Sequence, residues 1–278
     1  MNSRQRALGV ARAARSAARL ADTVSPPKPG ITVLIYHRVG GGSDSGVDLE
    51  LAVFDRQMQY LRDHCRVLSM DEAAFALLFP TQTGAAAERA VVVTFDDGTA
   101  DFAEHAAPIL HQYGIPATLY LATEFVDSQR EFPWGAPPLS WEEIQNVSQS
   151  GLITIGSHTH THCLLDRIPL AAACADLDRS IAAIQANTGR IPSHFAAPKA
   201  ISASSEIDRA IRLRFVTAAL AGSRVNRPGS TDLHRLWRTP IQRSDTFADF
   251  VAKTNGGLRL EGALRSLAAR RKYRGATQ

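Results

Sequence analysis

The sequence predicts an α/β protein, a distorted (β/α) barrel of about seven parallel strands with helices outside. Three observations carry this. Runs such as Ile31-Thr32-Val33-Leu34-Ile35-Tyr36 and Val91-Val92-Val93-Thr94-Phe95 have the unbroken apolar, β-branched character of strands buried on both faces. Such runs alternate with helix-period segments, as parallel strands with crossover helices require. Residue types suited to catalysis follow directly after several of the runs. The sites of parallel barrels collect at those C-terminal strand ends, which favours a closed barrel over an open doubly wound sheet.

Taken in order, residues 1–21 are alanine-rich and read as a basic helix. Ser25-Pro26-Pro27-Lys28-Pro29-Gly30 is a linker, since three prolines and a glycine break regular structure. The catalytic-type domain is expected over 31–255, after a basic helix and linker (1–30) and before a basic tail (256–278). Ile31–Tyr36 is the first strand. Phe54, Met58 and Leu61 mark one face of a helix. Val67-Leu68 is a short strand, and Ser69 to Phe79 a helix. Val91–Phe95 is the second strong strand, followed by a helix from Ala100 to Tyr113. Ala117–Leu121 is a strand. Ser140-Trp141-Glu142-Glu143 is a capping box opening a helix to Ser150. Ile153–Gly156 is a strand, Pro169–Thr188 a long helix and His194–Ala197 a short strand. Helix Ile207–Leu213, strand Phe215–Ala218, strand Leu236–Ile241 and helices Phe247–Ala252 and Glu261–Arg271 complete the pattern.

Composition bounds the function. The chain has 278 residues, 45% apolar and 21% charged, and can bury a large core. Its three cysteines, Cys65, Cys163 and Cys174, form no CxxC pair and fit a reducing compartment rather than a disulfide framework. Cys163 adjoins His162, but a small buried apolar residue is the plainer reading. The net charge of +4 is concentrated at the ends. Arg4, Arg6, Arg12, Arg15 and Arg19 lie in an acid-free N-terminus, and Arg265, Arg270, Arg271, Lys272 and Arg274 near the C-terminus. These ends suit weak contact with an anionic membrane, with solvated tails as the plainer alternative. No motif points to nucleic acid. No apolar run spans a bilayer, and Gly9 and the arginines interrupt any secretory h-region, so a cytoplasmic location is expected. The arginine-rich, acid-free start also has the character of a transit peptide.

Two segments carry the chemistry. In Thr94-Phe95-Asp96-Asp97-Gly98, adjacent carboxylates repel unless a cation or proton lies between them. One can hold a metal while the other serves as a base, and Gly98 permits the turn. A helix N-cap pair is the structural alternative. In Ser157-His158-Thr159-His160-Thr161-His162, His158 and His162 have i, i+4 ligand spacing, expected on a helical turn. His160 points elsewhere, in a structural or solvent-facing role. No glutamate completes an HExxH pattern, so the base must come from another segment, and Asp96 is available. Two histidines and an aspartate leave positions open for water and substrate. The same set suits non-heme iron(II), which leaves an oxygenase as a minor alternative.

TFDDG followed by SHTxxH resembles the polysaccharide deacetylases of the NodB-homology type, carbohydrate esterase family 4. Tyr36-His37-Arg38-Val39, Phe54 to Leu61 and Tyr113 to Leu121 extend the resemblance, which covers roughly residues 31 to 245. It implies a NodB-like distorted barrel, Asp96 as general base, and Asp97, His158 and His162 as ligands of a divalent metal, most often zinc. It further implies removal of N-acetyl groups from an amino-sugar polysaccharide or conjugate, with that carbohydrate as partner. The chain departs from the family at its third motif, RxPY, where it reads Ala196-Ala197-Pro198-Lys199. Pro198 and Lys199 keep the substrate side of that motif, and the Lys199 backbone N–H can replace the tyrosine's at the oxyanion. Arg238, at the last strand, is the candidate to replace the missing arginine. The LxH motif that donates the acid has no clean match, which leaves His37, after the first strand, and His234 as candidates. Two other readings stand beside this one: a carbohydrate-binding protein that lost the acid, and an N-acyl or imide hydrolase of a small molecule.

Overall fold

Seven parallel strands close on themselves into a barrel. A computed structural model describes residues 15–83, 88–200 and 204–263. The strands in chain order are β1 (Gly30–Tyr36), β2 (Arg38–Val39), β3 (Asp48–Leu49), β4 (Arg66–Val67), β5 (Arg89–Phe95), β6 (Ala117–Leu121), β7 (Ile153–Ser157), β8 (His194–Ala196), β9 (Thr217–Ala221) and β10 (Leu236–Pro240). Pairing runs β1-β10-β9-β8-β7-β6-β5, and β5 pairs back onto β1 to close the ring. β4 extends β5 outside it, and β2 and β3 form a separate two-stranded pair. Every pairing within the main sheet is parallel.

Period-two alternation sorts the strand residues. Val33 pairs with Val92 of β5 and with Arg238 of β10, so these three share one face. That face is the barrel interior. Ile31, Val33, Ala90, Val92, Ala219 and Leu236 pack there against Met70, Ala73, Ala74 and Leu77. The latter four belong to helix α3 (Met70–Leu78), which therefore plugs the N-terminal end of the barrel. Ser69 starts it with a capping box to Glu72. The plug leaves the C-terminal strand ends as the barrel's mouth.

The opposite strand face packs on the outer helices. α2 (Leu51–His64) buries Phe54, Met58 and Leu61, and Phe54 meets Tyr36 edge-on at 5.3 Å. The remaining helices are α4 (Pro80–Thr83), α5 (Ala107–Tyr113), α6 (Thr123–Ser128), α7 (Trp141–Ser148), α8 (Leu170–Thr188), α9 (Ser205–Arg212) and α10 (Phe247–Thr254). The capping box at Ser140 forms with Glu143 as its sequence predicts. The segment expected as one helix from Ala100 opens with a π-helical turn, Phe102–Ala106, before α5. The strand expected at Phe215–Ala218 lies two residues later in β9, after Phe215 has joined the helix-facing core. Cys163 is buried in that same core.

Residues 15–24 are helical (α1) and packed rather than separate. Arg15 is 5% exposed and donates from Nε to Glu261 at 3.0 Å and from Nη1 to the Ser244 carbonyl at 2.6 Å. Its Nη2 lies 3.1 Å from Asp245. Arg19 bonds Asp249, and the Leu258 N–H donates to Asp22 at 2.5 Å. Packing therefore continues across the boundaries expected at residues 30 and 256, while residues 1–14 and 264–278 lie outside the described region. Arg15→Ala takes one buried donor from Glu261 and weakens the hold on Asp245. Breaking a buried pair costs about 3 kcal/mol or more, so chemical denaturation should show a loss of that order. A loss under about 0.5 kcal/mol would mean that the helix is only loosely docked.

Candidate active site

Four strand ends converge at the mouth. Asp96 and Asp97 follow β5, His37 follows β1, His158 follows β7, and Arg238 points inward from β10. The backbone fixes the turn after β5. Asp96 N–H donates to the Tyr36 carbonyl at 3.1 Å, and the Asp97 carbonyl accepts from Ala122 N–H at 3.1 Å. Asp97 is left-handed at φ 76°, which swings its side chain away from that of Asp96. Gly98 follows at φ 90°, and a Cβ there would lie 2.6 Å from Leu121.

Asp97, His158 and His162 present one ligand atom each, all within 4.8 Å of one another. Asp97 Oδ1 lies 3.6 Å from His158 Nε2 and 3.3 Å from His162 Nε2. Both carboxylates are 5% exposed and His158 is 2% exposed. The histidines do not sit on a helical turn, as their spacing suggested. They lie in a loop after β7 with left-handed backbone at Thr159 (φ 69°) and His162 (φ 58°), and these two kinks bring the rings to one side. Buried Asp176 of α8 holds the loop by accepting from His160 N–H at 2.8 Å, Thr161 N–H at 3.2 Å and the Thr161 hydroxyl at 2.8 Å. His160 turns its ring to the Thr123 hydroxyl at 2.9 Å, in a structural role.

The donor set fits a divalent cation. His158 Nδ1 lies 2.8 Å from the Ala196 carbonyl, which can only accept, so Nδ1 carries the hydrogen and the Nε2 lone pair faces Asp97. Burial lowers the His158 pKa to about 4, leaving it neutral at physiological pH. Burial pushes the Asp97 carboxyl up, but the hydrogen bond from His162 and the electrostatic interaction with the neighbouring imidazoles outweigh it. Asp97 is held well below the ordinary carboxylate range.

Asp96 is held by Arg238. The fully buried guanidinium spans both carboxylate oxygens, Nη1 to Oδ1 at 2.6 Å and Nη2 to Oδ2 at 2.8 Å. Nη1 also reaches the Thr94 hydroxyl at 3.2 Å, and Nε the Leu220 carbonyl at 3.4 Å. Burial raises the Asp96 pKa and the Arg238 charge lowers it, with a net decrease. Ala196 leaves the interior end of β8 with a methyl group only, and the arginine arrives instead from β10, across β1. Arg238 thus faces the carboxylate rather than the substrate side.

The two candidate acids separate clearly. His37 is half-buried near the carboxylates, and its Nδ1 is buried without a hydrogen-bond partner among the described residues. His234 lies in a 3-10 turn before β10, with Nε2 2.8 Å from the carbonyl of Phe215, which precedes β9. Both positions are at the N-terminal end of the barrel, so His234 is not brought to the cluster. Pro198 and Lys199 follow β8 at the mouth, with Lys199 left-handed at φ 51°. Trp134 was not picked out from the sequence. Its ring stands edge-on to His162 at 5.8 Å, and Lys199 Nζ lies 5.0 Å from its centroid.

Fold and site together define a (β/α)-barrel protein with an Asp–His–His cluster that could hold a cation, beside an arginine-held carboxylate. Comparison with known proteins agrees. The family described as polysaccharide deacetylase matches residues 83–215. A poly-beta-1,6-N-acetyl-D-glucosamine N-deacetylase of Staphylococcus aureus is 30% identical over 108 residues, covering 38% of this chain and 35% of that protein. The structure of IcaB from Ammonifex degensii superimposes with a TM-score of 0.71 at 26% identity, covering 82% of this chain and 98% of that one. The Streptococcus pyogenes deacetylase PplD, solved with acetate, gives a TM-score of 0.71 at 21% identity, over 82% and 99% of the two chains. The chain spans less than half the length of the curated relatives it matches. Over residues 83–215 the chain is similar to the polysaccharide deacetylase family, and its barrel superimposes on solved deacetylases.

Proposed function

We propose that the protein is a metal-dependent hydrolase that removes N-acetyl groups from an amino-sugar polysaccharide or conjugate. The observation that carries this reading is the bidentate Arg238–Asp96 pair set directly beside the Asp97–His158–His162 cluster. A protein that only bound carbohydrate would need neither. The sequence likeness to an enzyme named for poly-β-1,6-N-acetyl-D-glucosamine makes a polymer of that kind the first substrate to test.

Asp97, His158 and His162 would hold the cation, with zinc as the first candidate. When bound, such an ion polarises an acetamide carbonyl and lowers the pKa of water. Asp96, ionised and oriented by Arg238, accepts the proton of the attacking water. The Lys199 backbone N–H donates to the oxyanion that forms on the acetyl carbon. His37 gives a proton to the departing amine, because histidine is the side chain whose unperturbed pKa lies nearest neutrality.

The test is acetate release from a β-1,6-linked N-acetylglucosamine oligomer and from chitotetraose, for wild type, His37→Ala and His234→Ala. Wild type should release acetate. His37→Ala should be slower by about 10²-fold and lose the alkaline limb of its pH–rate profile. His234→Ala should keep both. No acetate from either oligomer, together with hydrolysis of a small N-acyl or imide substrate, would shift the reading to that class.

A further inference from the structure

We infer that Lys199 reads an anionic substituent, a carboxylate or phosphate, on the glycan beside the acetyl group that is removed. The inference rests on the deacetylase reading and narrows its substrate class. Lys199 stands where the related motif has a tyrosine, and it follows β8 at the barrel's mouth. Its backbone is left-handed, a conformation that strains a residue with a Cβ and is kept where the surroundings over-determine it. Its ammonium is not loose in solvent. It sits 5.0 Å from the centroid of Trp134, whose ring edge meets His162 at 5.8 Å. Trp134 is in turn stacked on Phe132 at 4.9 Å, and Phe132 on Phe125 at 4.3 Å. The charge is therefore held one ring away from a proposed metal ligand.

Four arginines on the loops at this end are matched with acids. Arg38 lies against Asp48 and Asp101, Arg130 against Glu124, Arg167 against Asp166 and Arg243 against Glu50. Lys199 has no carboxylate partner among the described residues. A lysine is a compact point charge, suited to either anion. A neutral polymer gains nothing from that charge, whereas an anionic group on the neighbouring sugar gains a partner whose attraction weakens with salt. Trp134 supplies the flat apolar surface on which a sugar face can lie.

The experiment compares kcat/KM for acetate release from three tetrasaccharides. They are neutral chitotetraose, chitotetraose bearing 6-phosphates, and a tetrasaccharide alternating N-acetylglucosamine with the lactyl-ether sugar N-acetylmuramic acid. Wild type should favour at least one anionic substrate over the neutral one by about 10-fold or more at low salt, chiefly through KM. Which anionic substrate wins identifies the source of the charge. Lys199→Ala should bring the ratio to about 1, Lys199→Glu should invert it, and Lys199→Arg should keep it. A wild-type ratio at or below 1, or a ratio that Lys199→Ala leaves unchanged, overturns the inference. If none of the three releases acetate, the deacetylase reading fails. Calorimetric binding of the same anionic tetrasaccharides then decides on Lys199: tighter binding to wild type than to Lys199→Glu supports it, and equal binding overturns it.

Discussion

Asp96→Asn should keep the cation and lose about 10²–10⁴-fold in turnover, the usual loss when a general base is removed. Asparagine has nearly the same shape and leaves Asp97, His158 and His162 in place. It cannot take a proton from water. Arg238 would still meet one oxygen of the amide, so the fold should survive. The check is paired, metal content by elemental analysis and acetate release from one preparation. Asp97→Asn should give the complementary result, with loss of metal as well as of turnover. If Asp96→Asn loses the metal and Asp97→Asn keeps it, the two carboxylates have exchanged roles.

Arg238→Met should cost both activity and stability. The side chain is fully buried and holds both oxygens of Asp96, so its removal leaves a buried carboxylate without its partner. Breaking such a pair costs about 3–5 kcal/mol. The pH dependence follows from the directions of the shift. Arg238 lowers the Asp96 pKa, so its stabilisation is present above the unfolded carboxylate range and is lost as pH falls through the folded value. Without Arg238, burial alone acts and the pKa rises. The acid limb of the kcat/KM profile should then move to higher pH, and the stability deficit should be largest near neutrality. Arg238→Lys should restore part of both. The double variant Asp96→Asn/Arg238→Met should be more stable than Arg238→Met, because the stranded charge is gone. An unshifted acid limb in Arg238→Met would mean that Asp96 is not the group titrating there.

Residue type and spacing made most of the site legible. Asp96-Asp97 after one apolar run and His158 with His162 after another are visible without coordinates. The path of the chain between the histidines is not. Left-handed Thr159 and His162 are conformations that no local preference announces, and the i, i+4 spacing meets the cluster by a different route from a helix. The signal for what holds that loop was present. Asp176 lies on the stripe of α8 that buries Ala173, Leu177, Ser180 and Ile184, and a carboxylate on a buried stripe needs a partner.

Arg238 and His234 show how strand direction decides. They are four residues apart and flank the same strand start. Parallel strands place the residue before β10 at the closed end of the barrel, while an inward residue within β10 can reach the mouth. That polarity is readable from sequence once the strand is placed, and it separates His234 from His37, which follows β1. The docking of α1 was the least legible feature. Arg15 meets Glu261 across 246 residues of chain, and a proline-rich linker lies between α1 and the barrel. The available hint was Asp249 and Lys253 within the apolar pattern of α10, two charges on a face that had to be covered.

The most direct test of the central claim is a zinc titration of chelator-stripped protein, following bound metal and acetate release in the same sample. The account predicts no release at zero metal and a linear rise that ends at one equivalent per chain. His158→Ala should neither bind nor turn over. Full acetate release from metal-free protein, or stoichiometric zinc in His158→Ala with activity intact, would contradict it.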